Sequence, residues 1–212
     1  KMDIVGCDTA QALIASPTKV KVEHTEGINT TLQDNSPKPL KGARLMFAQQ
    51  GVDTAVDVTT SKRKGFFEIY TADKQGKVYG NKTMLPMPPN SDSTNVGNAI
   101  LSSDENTLIY TQCNSDLLLN RFTCKLYRSK KNGSMWGTPE ELKDLNYAKG
   151  TTTQPAWGVA EDGSDLLYFV SDRGGKDNLD IWYAKLNSDG TFGSPTSAGD
   201  VINTGGDEVS PY

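Results

Sequence analysis

The sequence is poor in histidine, with the single residue His24 in 212 residues. A zinc site or a Ser-His-Asp triad therefore lacks the residues that it would need. The chain also lacks a Gly-x-Ser-x-Gly elbow, a glycine-rich phosphate loop before a helix, and the Asp-x-Asp-x-Asp-Gly spacing of a calcium loop. These absences predict a chain with no catalytic residues, no metal and no cofactor, and so not an enzyme.

Long apolar runs and charge of one sign are also missing. No apolar stretch approaches the length of a membrane span. Lysine and arginine form no stripe that would favour nucleic acid or an anionic membrane surface, and the net charge is -4. The sequence therefore predicts neither a membrane-spanning segment nor a nucleic-acid partner.

Glycine and proline are plentiful, with 20 and 10 residues spread along the chain, which is typical of many short strands joined by turns. Four short motifs recur in the same order at a nearly constant interval. They are a small strand entry at 36–38, 98–100, 154–156 and 210–212, an apolar strand ending in an aromatic residue at 44–47, 107–110 and 166–169, a charged–aliphatic–aromatic triplet at 68–70, 125–127 and 180–182, and an aromatic–glycine pair at 79–80, 136–137 and 192–193.

Tight-turn dipeptides separate these motifs, for example Asn132-Gly133 and Asp189-Gly190 before the fourth motif. Such pairs favour hairpins because primed turns need positive φ. Each repeat is thus predicted to be a four-stranded antiparallel meander, which is the unit of a β-propeller. The fold expected is all-β, with three full blades, partial ones, and a short N-terminal helix over 9–14. A β-sandwich with accidental periodicity is the alternative.

The predicted domains follow from the same repeat. Residues 1–18 are expected to be the tail of a preceding helical region, and 19–212 to be blades with boundaries near 27–90, 91–149 and 150–203. A further blade is expected to start at 204–212. Three full blades cannot close a ring, since propellers have at least four. The chain is therefore expected to be a piece of a larger propeller whose other blades lie elsewhere.

Two segments resemble a known family. They are Tyr168-Phe169-Val170-Ser171-Asp172-Arg173-Gly174-Gly175, followed by the strand 180–184, and the junction 201–212. Both are similar to the TolB-like, WD-repeat-like propellers of Gram-negative envelope proteins. In one branch of that family the propeller follows a tetratricopeptide region, precedes an OmpA-like peptidoglycan-binding domain, and serves the type IX secretion apparatus. The second repeat lacks the Ser-Asp-Arg-Gly-Gly phrase.

The resemblance implies a non-catalytic interaction scaffold in the periplasm or on the periplasmic side of the outer membrane. Its expected partners are other envelope or secretion-system proteins, remaining blades on another chain, and peptidoglycan through a domain outside this sequence. Two alternatives stay open. One is a carbohydrate- or peptide-binding sensor propeller, and the other is a regulatory propeller of a peptidase.

Two cysteines lie at the ends of a polar loop placed within a hairpin. Because such ends face each other, Cys113 and Cys124 are predicted to form a disulfide, which would indicate an oxidising compartment. Two half-buried free thiols are the alternative.

Three residues are candidates for contact with a partner. Trp157 follows the first strand of the third repeat and either packs in the core or reaches the central channel. Asp172 and Arg173 precede a Gly-Gly turn, where they either stabilise the hairpin or contact a ligand. A basic cluster at 61–64 is either a solvated loop or a docking edge.

Overall fold

The computed structural model describes residues 11, 14–16, 23–52, 64–91, 93–116, 121–175 and 178–212. Thirteen strands run through these residues, and no helix among them is long and apolar enough to cross a membrane. The strands are β1 Asp34–Leu40, β2 Arg44–Val52, β3 Lys64–Gln75, β4 Val78–Met84, β5 Asn95–Leu101, β6 Thr107–Asp116, β7 Arg121–Asn132, β8 Met135–Trp136, β9 Glu140–Glu141, β10 Thr152–Val159, β11 Asp165–Ser171, β12 Asp180–Lys185 and β13 Thr196–Ser197.

The strands form three antiparallel sheets in chain order. The first is β1-β2-β3-β4 and the third is β10-β11-β12-β13. The second is β5-β6-β7-β8, with β9 also paired to β7, so its fourth strand is divided in two. Consecutive four-stranded meanders are propeller blades. The prediction of an all-β propeller fold with three full blades is confirmed.

The predicted N-terminal helix is not supported. Of the segment 9–17 the structure describes residues 11 and 14–16 alone, which is too little to make an element. Most of the predicted basic cluster, residues 61–63, also lies outside the described residues.

Apolar side chains from neighbouring blades pack together to form the core. Met46 and Ile69 of the first blade pack with Leu108 and Tyr110 of the second. The second and third blades share another cluster, whose buried members are Ile100, Ile109, Leu126, Leu142, Leu145, Leu167, Phe169, Ala184 and Phe192. Because each cluster draws on two sheets, burial of apolar surface holds the blades to each other.

The first strand of every blade contains a bulge at the same repeat position. The pairing with the second strand shifts between Asn35 and Lys38, between Gly97 and Ile100, and between Thr153 and Ala156. A bulge inserts one extra residue and breaks the alternation of faces. The strand-entry motif found in the sequence is therefore this bulge.

The third strand of every blade is held by an asparagine from the segment that follows the blade. Asn90 accepts a hydrogen bond from the Ile69 amide at 2.7 Å and donates to the Ile69 carbonyl at 3.0 Å. Asn146 makes the same pair of bonds with Leu126, and Asn203 makes it with Ile181. We call these three residues the clamp asparagines. They satisfy both backbone groups of a residue deep in the sheet.

Candidate functional site

The first strands lie next to one another, with β5 in contact with both β1 and β10. Their three bulges bring Ser36, Asn98 and Gln154 together with Ser210, which holds the equivalent position in the last repeat, and all four residues have left-handed backbone. The φ angles are 54° at Ser36, 45° at Asn98, 51° at Gln154 and 58° at Ser210. A non-glycine residue in this region costs about 1 kcal/mol or more, and such residues concentrate at functional sites. The repetition makes this edge the candidate site.

A cavity of about 450 Å³ opens between these bulges. Its lining includes all four left-handed residues together with Lys38 and Tyr212. We call this cavity the axial cleft. Small-molecule sites are cavities of this size in which a few polar groups converge.

Two further cavities adjoin the axial cleft and share Tyr212 with it. Their volumes are about 410 Å³ and 390 Å³, and Trp157 lines both. Trp157 is partly buried and stacks on Phe192, with 6.4 Å between ring centroids. Its Nε1 has no hydrogen-bond partner among the described residues. The Trp157 ring therefore packs on the core and also borders the two cavities, and its role as a partner contact stays a prediction.

Lys38 is half-buried in the wall of the cleft. Its Nζ lies over the Tyr212 ring, 5.0 Å from the centroid. Burial lowers the pKa of the Lys38 ammonium, because desolvation disfavours the charged form. No carboxylate in the described part of the chain forms an ion pair with it.

The one Asp or Glu side chain lining these three cavities, within the described residues, is Glu105. It pairs with the Arg44 guanidinium and accepts a hydrogen bond from the Lys41 amide at 3.0 Å. Burial by itself raises the pKa of Glu105, but these two donors outweigh it and leave the pKa below its usual value. Both oxygens of Glu105 are thus committed to the protein.

The amide side chains of the cleft present donors. The Ser210 amide N–H donates to Gln154 Oε1 at 2.5 Å, which fixes the orientation of that side chain. Asn98 Oδ1 accepts from the Ser36 hydroxyl. No bond from Gln154 Nε2 or Asn98 Nδ2 reaches another described residue. Both NH₂ groups are therefore available to a ligand.

Asp172 and Arg173 lie away from the cleft, at the junction of the second and third blades. The Arg173 guanidinium donates to the Leu145 carbonyl and lies over the rings of Phe169 and Trp182, 5.0 and 5.4 Å from their centroids. Burial lowers its pKa. Asp172 Oδ1 accepts from the Thr151 amide at 2.7 Å. Arg173 thus ties the third blade to the segment that follows the second, Asp172 holds Thr151 within the third blade, and the role of both as partner contacts stays a prediction.

Cys113 and Cys124 form a disulfide between β6 and β7, where they are directly paired. The strands continue beyond the bridge to Asp116 and Arg121, so the cysteines lie within the ladder and not at the ends of a loop. As to metals, the described residues contain no group of three or more histidine, cysteine, aspartate or glutamate side chains that could hold an ion.

The sequence reasoning missed the axial cleft. It recognised 36–38, 98–100, 154–156 and 210–212 as one repeated motif but treated them as strand entries. The signal was proline, which follows three of the four left-handed residues. Proline within a strand is confined to edges and bulges, so this motif could have predicted a bulged inner edge.

No protein-family model matches the chain, and no curated protein is significantly similar to it. Several solved structures resemble it, including two enzymes. One is an endo-arabinase from Bacteroides thetaiotaomicron, with 14% identity, a TM-score of 0.45, and coverage of 77% of this chain and 61% of the enzyme. The other is a thermostable family-43 glycoside hydrolase, with 14% identity, a TM-score of 0.47, and coverage of 83% and 56%. The chain thus spans less than two thirds of either enzyme.

These comparisons correct four predictions. The assignment to TolB-like, OmpA-family envelope propellers of type IX secretion is wrong, because the similar structures are glycoside hydrolases. The non-catalytic scaffold and the statement that the chain is not an enzyme are overturned by the same finding, since both neighbours are enzymes. The predicted roles in secretion and in peptidoglycan association, which followed from that assignment, are wrong as well. At this identity the likeness concerns the fold alone and assigns no activity to the chain.

Proposed function

We propose that the chain provides a carbohydrate-binding surface of a β-propeller, with the axial cleft as its centre. One observation carries this proposal. The three bulges and the segment at Ser210 gather hydroxyl and amide side chains at one cavity, and Trp157 and Tyr212 border the same group of cavities. Sugars combine hydroxyl groups with apolar C–H faces, so they suit a site that offers both hydrogen-bonding groups and aromatic surfaces.

The polar groups suit hydroxyl ligands in particular. Free NH₂ groups on Asn98 and Gln154 can donate and the Ser210 hydroxyl can both donate and accept, whereas the Ser36 hydroxyl, which donates to Asn98 Oδ1, can accept. Tyr212 lines all three cavities, so its ring borders the space that a sugar would occupy. Because the four polar residues are fixed by backbone geometry, little ordering entropy would be lost on binding.

Glycan-array binding followed by calorimetry tests the proposal. We expect the protein to retain one class of oligosaccharide, and the Tyr212→Ala and Asn98→Gly variants to bind it at least ~10-fold more weakly, about 1.4 kcal/mol. Glycine is chosen at 98 because it tolerates the left-handed backbone. Met135→Ala, at a 70% exposed position on β8, is the matched control and should bind normally.

Two results would remove the proposal. One is that no oligosaccharide is retained by the wild type, and the other is that Tyr212→Ala and Asn98→Gly bind as tightly as the control. Release of new reducing ends from the retained glycan, measured in parallel, decides whether binding is accompanied by cleavage. Arabinose oligomers belong in the panel, since one of the similar structures is an endo-arabinase.

The disulfide supports a proposal on location. We propose that the protein works in an oxidising compartment, because cysteine pairs of this kind persist there and are rare in reducing cytosol. Thiol labelling of the protein isolated from its source tests this, and two additional reactive thiols at Cys113 and Cys124 would overturn it.

A further inference from the structure

The cationic side of the axial cleft has no anionic partner in the described part of the protein. Lys38 lies in the wall of both the axial cleft and the 410 Å³ cavity beside it. Its only described partner is the Tyr212 ring, which attracts the ammonium but carries no charge. Lys38 is half-buried, and partial desolvation of an ammonium that has no counter-ion is unfavourable, so an anionic group bound in the cleft would compensate its charge.

The carboxylate lining the neighbouring cavity cannot serve Lys38. Glu105 is occupied by the Arg44 guanidinium and by the Lys41 amide. Lys41 itself lines the same cavity, which adds a second ammonium to that wall. The described lining of the two cavities therefore has an excess of positive charge.

The neutral groups of the cleft have the same bias towards donation. The Ser210 N–H occupies the acceptor oxygen of Gln154, and this donor cannot exchange roles because a backbone N–H only donates. Gln154 Nε2 makes no bond to another described residue and is left as a donor. Together with Asn98 Nδ2 and the Lys38 ammonium, three groups of the cleft can donate to one acceptor-rich ligand.

We infer that the sugar bound in the axial cleft carries a carboxylate, as a uronic acid does, with Lys38 as its counter-ion. This inference rests on the proposed function and specifies the class of its ligand. A carboxylate has two acceptor oxygens, which can take a charge-assisted bond from Lys38 and a neutral bond from Gln154 or Asn98. A neutral sugar would leave the Lys38 charge uncompensated.

Matched ligands that differ in charge alone test the inference. The probes are trisaccharides of galacturonate, glucuronate and mannuronate, their methyl esters, and the corresponding neutral trisaccharides. By titration calorimetry, we expect at least one acid to bind the wild type ~10-fold or more tightly than its ester, with a preference that falls as salt is added.

Two lysine variants show whether the preference for the acid depends on the charge of Lys38. Lys38→Met removes the ammonium but keeps the length of the side chain, and we expect it to bind acid and ester equally. Lys77→Met removes a charge from the exposed turn between β3 and β4, and should keep the preference of the wild type. Thermal unfolding of both variants shows whether the fold is intact.

The two proposals fail in different ways. If neutral sugars or esters bind as tightly as every acid, or if Lys38→Met retains the preference for acid, the uronate inference is wrong and carbohydrate binding stands. If no acid, ester or neutral sugar binds the wild type, the proposed function itself is wrong.

Discussion

The clamp asparagines and the bulges of the first strands are both repeated in every blade, yet the repeated property differs between them. The clamp positions carry the same residue in all three copies, Asn90, Asn146 and Asn203, and each uses both ends of its amide on one backbone residue. The bulge positions carry serine, asparagine, glutamine and serine, and what they share is the sign of φ. The clamp positions share the identity of the side chain, and the bulge positions share the backbone conformation.

The difference separates positions that hold the fold from positions that present groups to a ligand. A clamp amide has no free hydrogen-bonding capacity on its inward face, because the third strand uses it. A bulge amide such as Gln154 has one end fixed and the other unused. Four predictions, from the largest expected effect to the smallest, test this distinction.

Removing a clamp should have the largest effect on stability. In the Asn90→Ala variant the N–H of fully buried Ile69 and the C=O of Leu85 lose their partners, at about 1–3 kcal/mol for each group, whereas the Ile69 C=O keeps its bond from the Leu85 N–H. We expect the free energy of unfolding to fall by about 4 kcal/mol in a urea titration. Asn187→Ala, which loses one exposed bond to Thr191, should cost less than about 1 kcal/mol. Equal losses in the two variants would refute the role of the clamp.

Loss of the disulfide should come next. The Cys113→Ser/Cys124→Ser variant frees the unfolded chain from a loop of 11 residues in separation, and we expect the unfolding free energy to fall by about 2–3 kcal/mol. Reducing agent should produce the same loss in the wild type and none in the double variant. If reducing agent leaves the free energy of unfolding of the wild type unchanged, the stabilising role of the disulfide is contradicted.

At a bulge position, stability should depend on backbone strain more than on the side chain. At φ 51°, Gln154→Ala keeps the strain and removes the bond to Ser210, whereas Gln154→Gly relieves the strain. We expect Gln154→Gly to be more stable than Gln154→Ala by about 1 kcal/mol, measured by urea denaturation. The reverse order would contradict a strained backbone at position 154.

Lys38→Met should have the smallest effect on folding, with a sign opposite to the others. Because burial lowers the pKa of Lys38 in the folded state, the charged form is less favourable there than in the unfolded chain. The variant should be slightly more stable at pH 7, by less than about 1 kcal/mol after solvent screening. This gain should vanish as the pH rises through the unfolded lysine pKa of about 10.4. A loss of stability at pH 7 would contradict the role assigned to Lys38.

Much of the fold could be predicted from the sequence because a repeat supplies its own alignment. Aliphatic and aromatic triplets such as 125–127 recur at fixed intervals, and hairpin dipeptides mark the turns that follow them, as at Gly133 with φ 64°. The clamp asparagines could have been predicted from the same repeat, since Asn90, Asn146 and Asn203 follow the period of the other motifs. They were missed because asparagine in a loop is normally read as a turn residue.

The axial cleft was harder to predict, for a physical reason. A bulge breaks the alternation of buried and exposed residues, so Ala99 and Ile100 are both buried in succession and the first strands lose their period of two. The residue type alone does not show that a serine or a glutamine has a positive φ. The cleft also joins residues more than 170 positions apart, such as Ser36 and Ser210, which only the assembled blades bring together.

The left-handed bulge has a consequence for how this surface can change over generations. Any residue that accepts the conformation can occupy the four positions, and the protein already carries three different residue types there. Substitutions at these positions alter the chemistry offered to a ligand while the blades keep their cores and clamps. Recognition and foldability are thus encoded at separate positions, so new ligand preferences can arise by single-residue exchange without first requiring a compensating stabilising mutation.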